Sequence, residues 1–210
     1  MLALTSLVIF TLFSVCLWAE NDVLKSLKTR ESGRSWAAAG RLMLDYGQGF
    51  CTASLITPDV ILTAAHCLFD KDTGQKYPLD AYEFQAGWRH GRAEAYRGIK
   101  SALTHPKYRF NSTKDVEKVS QDVAMVLLDY PIRNGRIDPF FVGPLPKQGE
   151  DVAVVPYARG RKNAPSIQSR CTVAARQEGI LVMTCDVDYG ASGSPVFQIT
   201  SQGVVIVSVI

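Results

Sequence analysis

Three side chains of this sequence could share one reaction: His66 in VILTAAHCLF, Asp122 in SQDVAMVLLD and Ser192 in DYGASGSPVF. A serine hydroxyl is a poor nucleophile unless a neighbouring imidazole takes its proton during attack. That imidazole must in turn be held in one tautomer by a carboxylate that also stabilises its protonated form. Asp122 stands at the start of a strongly apolar run, where an unpaired carboxylate would be costly to desolvate and calls for a partner. Gly190, with no Cβ, lets the backbone turn sharply enough to aim the amides of Gly190 and Ser192 at one point, an oxyanion hole. Each residue alone also fits a plainer role, as a histidine beside a half-cystine or as part of a tight turn. Their company is what points to nucleophilic catalysis.

The elements that must position them read as strands. AAAGRLMLDY, FCTASLIT, DVILTAA, DAYEFQAGW, AYRGIKSALTH, DVAMVLLD, DVAVVPYA, SRCTVAAR, ILVMTCDV, PVFQIT and GVVIVSVI are short apolar or alternating runs, many bounded by Gly, Pro, Asn or Asp. None sustains a long 3.6-residue period, so an all-β barrel or sandwich is expected. Between residues 131 and 149, Pro131, Gly135, Pro139, Gly143, Pro144 and Pro146 mark a connector between two halves, 35–130 and 150–210. Residues 20–34 are polar and charged, with Val23, Leu24 and Leu27 at helical spacing, and read as a propeptide, a linker or a short surface helix. RGRKN at 159–163 reads as a solvated loop.

The chain has 210 residues, 47% of them hydrophobic and 20% charged, enough for one sizeable core or two adjoining small ones. Its net charge of +3 is scattered, which gives no nucleic-acid track. Residues 1–19 carry no charged side chain and read as a secretory signal peptide ending at the small residue Ala19, with a membrane anchor as the competing reading. Removal of that segment would leave no stable membrane association and a secreted or periplasmic protein. Four cysteines remain, Cys51, Cys67, Cys171 and Cys185, and exported thiols tend to be paired. Three connectivities are possible, and the two short-range pairs are the natural choice. No ligand spacing supports a metal at His66 and His105, and no cofactor is expected.

TAAHC, QDVAMVLLD and GASGSPVF, in this order, resemble the signature blocks of the chymotrypsin-like serine proteases, and the resemblance runs from about Trp36 to the last residue. It implies an all-β fold of two six-stranded antiparallel β-barrels, the second incomplete because the sequence stops at Ile210. It also implies a serine endopeptidase acting on proteins or peptides, monomeric, with His66, Asp122 and Ser192 as the triad. FCTASLI resembles the strand that holds the partner of the histidine-loop cysteine, which implies Cys51–Cys67 and leaves Cys171–Cys185. THPKY resembles a turn found upstream of the catalytic aspartate, making His105 structural. Ala191 stands where the amino-terminus-activated enzymes have an aspartate. Ser194 matches the form of bacterial secreted members, nearer the glutamyl-endopeptidase-like branch.

Asp186 lies six residues before Ser192, the spacing of an acidic pocket base that would receive Arg or Lys. The alternative is a loop-structuring Asp186, with Asp188 nearby. Tyr189, and Ser208 in VIVSVI, complete the expected substrate contacts, the latter on a segment that would pair with substrate backbone. The rival functional class is a catalytically inactive, protease-like binding module.

Overall fold

The computed structural model describes residues 24–158, 160–186, 190–201 and 203–210. The expected signal peptide, Tyr189 and Asp188 lie outside the described residues. Along the described chain run strands β1 (Lys25–Ser26), β2 (Ala39–Leu44), β3 (Gly49–Thr57), β4 (Val60–Thr63), β5 (Glu83–Ala86), β6 (Ala95–Arg97) and β7 (Ile99–Thr104). A short helix α1 (Asp115–Ser120) precedes β8 (Ala124–Leu128), β9 (Phe141–Val142), β10 (Asp151–Val154), β11 (Ser166–Gln177), β12 (Ile180–Met183), β13 (Pro195–Thr200) and β14 (Gly203–Val209).

The first sheet has the order β6-β5-β2-β3-β4-β8-β7, every pairing antiparallel. Its two end strands follow one another in sequence, separated only by Gly98. AYRGIKSALTH is therefore one strand bent at a corner, its first half paired with β5 and its second with β8, and the ring of pairings closes through the covalent chain. The corner is close-packed: a Cβ on Gly98 would lie 2.9 Å from Asp129 Oδ2, the tip of an exposed side chain that can move aside. It is tied to the end of β8 by Asp129 N–H, which donates to the Gly98 carbonyl at 3.0 Å, and by the Arg97 guanidinium, which donates to the carbonyls of Tyr130 at 3.0 Å and Pro131 at 3.1 Å. Strand β8 shows the two-residue period: Ala124, Val126 and Leu128 are buried and Met125 is exposed.

The second sheet has the order β1-β11-β10-β13-β14-β9, with β12 also on β11. It does not close: among the described residues no pairing joins β12 to β14. The count of seven strands in each half, where six were expected, has two causes. The bend at Gly98 divides one strand of the first half, and two-residue strands from elsewhere lengthen the second. Of these, β9 comes from the connector and runs parallel to β14, while β1 comes from the segment before residue 34. That segment is held well. Leu27 N–H donates to the Pro165 carbonyl at 2.8 Å, the Leu27 side chain is buried in the main core, and the Arg89 guanidinium donates to the Thr29 carbonyl at 3.2 Å.

One core spans the two sheets, with Phe84, Leu55 and Ile61 from the first packed in the same cluster as Val155, Phe197 and Ile206 from the second. Trp36, Phe140 and Phe197 meet at the seam, with ring centroids 5.1 Å apart for Trp36–Phe197 and 4.7 Å for the edge-on pair Phe140–Phe197.

Candidate active site

His66 sits on a single 3-10 turn, Ala65–Leu68, that follows β4 directly. The turn is fastened to β3 by the Cys51–Cys67 disulfide, with Cα atoms 6.2 Å apart. Asp122 lies between α1 and β8. Because Thr63 at the end of β4 is opposite Ala124 at the start of β8, continuing the chain two or three residues from each strand brings His66 beside Asp122. The carboxylate then holds the histidine at two points: Oδ1 accepts the His66 backbone N–H at 2.8 Å and Oδ2 lies 2.6 Å from Nδ1. This contact assigns the proton to Nδ1 and leaves Nε2, 3.8 Å from Cys67 Sγ, as the basic nitrogen. The Asp122 side chain is 21% exposed and that of His66 37%. Beneath them Tyr108 is buried, and burial first, then the charge of Asp122, raises its phenol above the ordinary tyrosine range.

Ser192 comes from the second half but is seated on the first. Its carbonyl accepts the Thr52 N–H from β3 at 2.8 Å. Gly193 N–H donates to the Ile210 carbonyl at 2.7 Å, Ile210 N–H to the Ser194 carbonyl at 3.0 Å, and Ser194 N–H to the Ala191 carbonyl at 2.9 Å, which closes the turn. Gly190 has φ +91 and Gly193 φ +76, conformations that suit glycine. At Gly193 there is no alternative, since a Cβ would run into the Thr52 carbonyl oxygen and Thr63 Oγ1. The serine loop therefore lies flush on β3 and β4, the strands that lead to His66. Ala191 and Ser194 are buried. No hydrogen bond joins the Ser192 hydroxyl to His66 among the described residues. In unliganded sites such contacts are often long and tighten on binding.

Sequence reasoning assigned Gly193 no role of its own. Its glycine could have been noticed as the residue following a candidate nucleophile, but the steric reason lies in β3 and β4. Thr52 was also missed. Besides its amide bond to Ser192, its hydroxyl accepts the Tyr157 N–H at 3.0 Å, and its carbonyl accepts the Thr63 hydroxyl at 2.8 Å. One residue thus ties together β4, the serine loop and the segment after β10.

The remaining expected residues are more scattered. Ser208 lies on β14 opposite Val196. With Asp122, Leu62, Leu181, Met183 and Val207 it lines an open cavity of about 590 Å³ between β12 and β14, a space not lined by His66 or Ser192. Asp186 is exposed, and its backbone N–H donates to Gln168 Oε1 at 2.8 Å. It follows Cys185, whose disulfide to Cys171 spans a Cα separation of 4.9 Å. Both expected disulfides are present. His105 is part of a turn: its N–H donates to the Val123 carbonyl at 2.9 Å, its carbonyl accepts the Tyr108 N–H at 2.9 Å, and Nδ1 accepts the Lys107 N–H at 3.3 Å. His66 has two sulfur neighbours, Cys51 and Cys67, but these are joined to each other and offer no thiolate to a metal.

Comparison with known proteins bears on the family and the fold. The family described as trypsin-like peptidase domain matches residues 47–206. A modular serine protease of Drosophila melanogaster is 32% identical over 87 residues, 39% of this chain and 13% of that protein. Mannan-binding lectin serine protease 1 of Homo sapiens is 31% identical over 123 residues, 52% of this chain and 17% of that protein. The chain thus spans less than a fifth of the length of these two relatives. Among solved structures, a thermostable serine protease from an extremophilic microorganism superposes with a TM-score of 0.63 at 18% identity, covering 82% of this chain and 83% of that one, a likeness of fold.

Proposed function

Since the chain belongs to the trypsin-like peptidase family, we propose that it is a serine endopeptidase, that Ser192, His66 and Asp122 are its catalytic triad and that cleavage passes through an acyl-enzyme. Ser192 Oγ attacks the scissile carbonyl carbon while His66 Nε2 takes the hydroxyl proton. The amides of Gly190 and Ser192 receive the oxyanion, those of Gly193 and Ser194 being engaged by Ile210 and Ala191. Protonated His66 then gives its proton to the leaving amine, and a water, activated by the same nitrogen, releases the acyl group. The single observation that carries this reading is the two-point hold of Asp122 on His66. No cofactor or metal takes part.

The substrate is a protein or peptide chain, the enzyme a monomer, and the N-terminal apolar segment with the two disulfides supports export to an oxidising compartment. Buried Ala191 supports maturation without an amino-terminal ion pair at that position. The GASGSP block supports a place near the glutamyl-endopeptidase-like branch by active-site sequence. The exposure of Asp186 and the bond its amide makes to Gln168 favour a loop-structuring role over a pocket base for Arg or Lys.

A serine-directed fluorophosphonate tests the proposal. It is expected to label Ser192, and Ser192→Ala is expected to abolish labelling and peptide cleavage. Folded wild-type protein that resists the probe overturns the triad in favour of a non-catalytic binding module.

A further inference from the structure

We propose that Asn111 is the attachment point of an N-linked glycan, an inference that rests on the export reading above. Asn111-Ser112-Thr113 is the only Asn-x-Ser/Thr triplet in the 210 residues. It falls in the connection between β7 and α1, where Asn111 and Thr113 are exposed. The backbone there projects as a compact turn: Ser112 N–H donates to the Arg109 carbonyl at 3.1 Å and Lys114 N–H to Ser112 Oγ at 3.2 Å. The Asn111 amide rests over Gly74, where a Cβ would come within 3.3 Å of Nδ2. The absence of a side chain at residue 74 leaves that nitrogen room. Beside it is an open hollow of about 600 Å³ floored by Phe69, Tyr108 and Phe110. The Phe69 and Phe110 rings are stacked, with centroids 5.0 Å apart. Such an apolar floor suits the C–H face of a proximal sugar.

The chemistry requires a lipid-linked pyrophosphoryl oligosaccharide as donor. A bond forms between Asn111 Nδ2 and the anomeric carbon, the glycosyl–phosphate bond breaks, the amide loses one proton and the pyrophosphoryl lipid departs.

The test is expression of the full chain in secreting animal cells, with peptide mass spectrometry before and after treatment with peptide-N-glycosidase. The expected result is one enzyme-sensitive species, with Asn111 converted to aspartate on release. Asn111→Gln and Thr113→Ala abolish the shift, while Thr113→Ser and Ser112→Ala preserve it. Exported protein with both disulfides formed and an unmodified Asn111 overturns the glycan alone. Protein retained inside the cell with reduced cysteines overturns the export reading and the glycan with it.

Discussion

Asp122 binds His66 through both carboxylate oxygens, one on the backbone N–H at 2.8 Å and one on Nδ1 at 2.6 Å. The first contact fixes the position of the residue and the second the tautomer of its ring. Asp122→Asn can preserve the first through its carbonyl oxygen, yet if its amide NH₂ faces Nδ1 it donates to that nitrogen and favours the wrong tautomer. The fold should survive, with kcat falling about 10⁴-fold while KM changes little. Steady-state kinetics on a peptide substrate, with circular dichroism as a control, check this.

Gly193→Ala should be severe for a different reason. The new methyl group meets Thr52 and Thr63 at a backbone with φ +76. The expected loss is at least about 2 kcal/mol in urea unfolding, with a matching fall in fluorophosphonate labelling as the serine loop lifts from β3. Labelling at the wild-type rate would show that the loop does not depend on this contact.

Replacing Cys51 and Cys67 together by alanine removes a cross-link of sequence separation 16. Loop-closure entropy puts the cost near 3 kcal/mol, a drop of roughly 6–12 °C in Tm for a chain of this size. Since the cross-link also anchors the turn that carries His66, kcat/KM should fall at temperatures well below the new Tm. Calorimetry and kinetics on the same preparation separate the two effects.

Three buried tyrosines should weaken the fold at alkaline pH. Tyr82, Tyr108 and Tyr157 are each raised by burial above the ordinary value of 10.0. Tyr157 donates its hydroxyl to the Trp88 carbonyl at 2.8 Å. Above pH 10 the unfolded chain releases phenolic protons that the folded chain retains, so the unfolded state is increasingly favoured. Stability from these groups is fully present below that pH and is lost as pH rises toward their folded-state values. The urea midpoint should fall above pH 10, and Tyr157→Phe should shallow that fall. An unchanged slope in the variant would assign the effect elsewhere.

The strands were legible because burial on one face leaves a two-residue period, as in β8. What the sequence could not convey was pairing between distant segments. Leu27 lies in a segment that reads as a propeptide, a linker or a short surface helix, but its backbone finds a partner at Pro165 and its side chain a place in the core. Phe141–Val142, in a proline-rich stretch, becomes a strand only because β14 offers an edge. AYRGIKSALTH reads as a single run because the bend at Gly98 is visible only from its two different partners. At the candidate site, His66, Asp122 and Ser192 stand out by residue type and local context. Thr52 could not, since a threonine in a strand announces nothing about the loop that will rest on it.

Thr52 also bears on how the two halves can move. Its amide holds the Ser192 carbonyl, and its strand is the one to which the His66 turn is disulfide-linked. Ser192 and His66 are therefore referred to a single datum instead of to separate bodies. The same loop is also bonded to Ile210, after β14, through Gly193 and Ser194, so a displacement of either half would reach it directly.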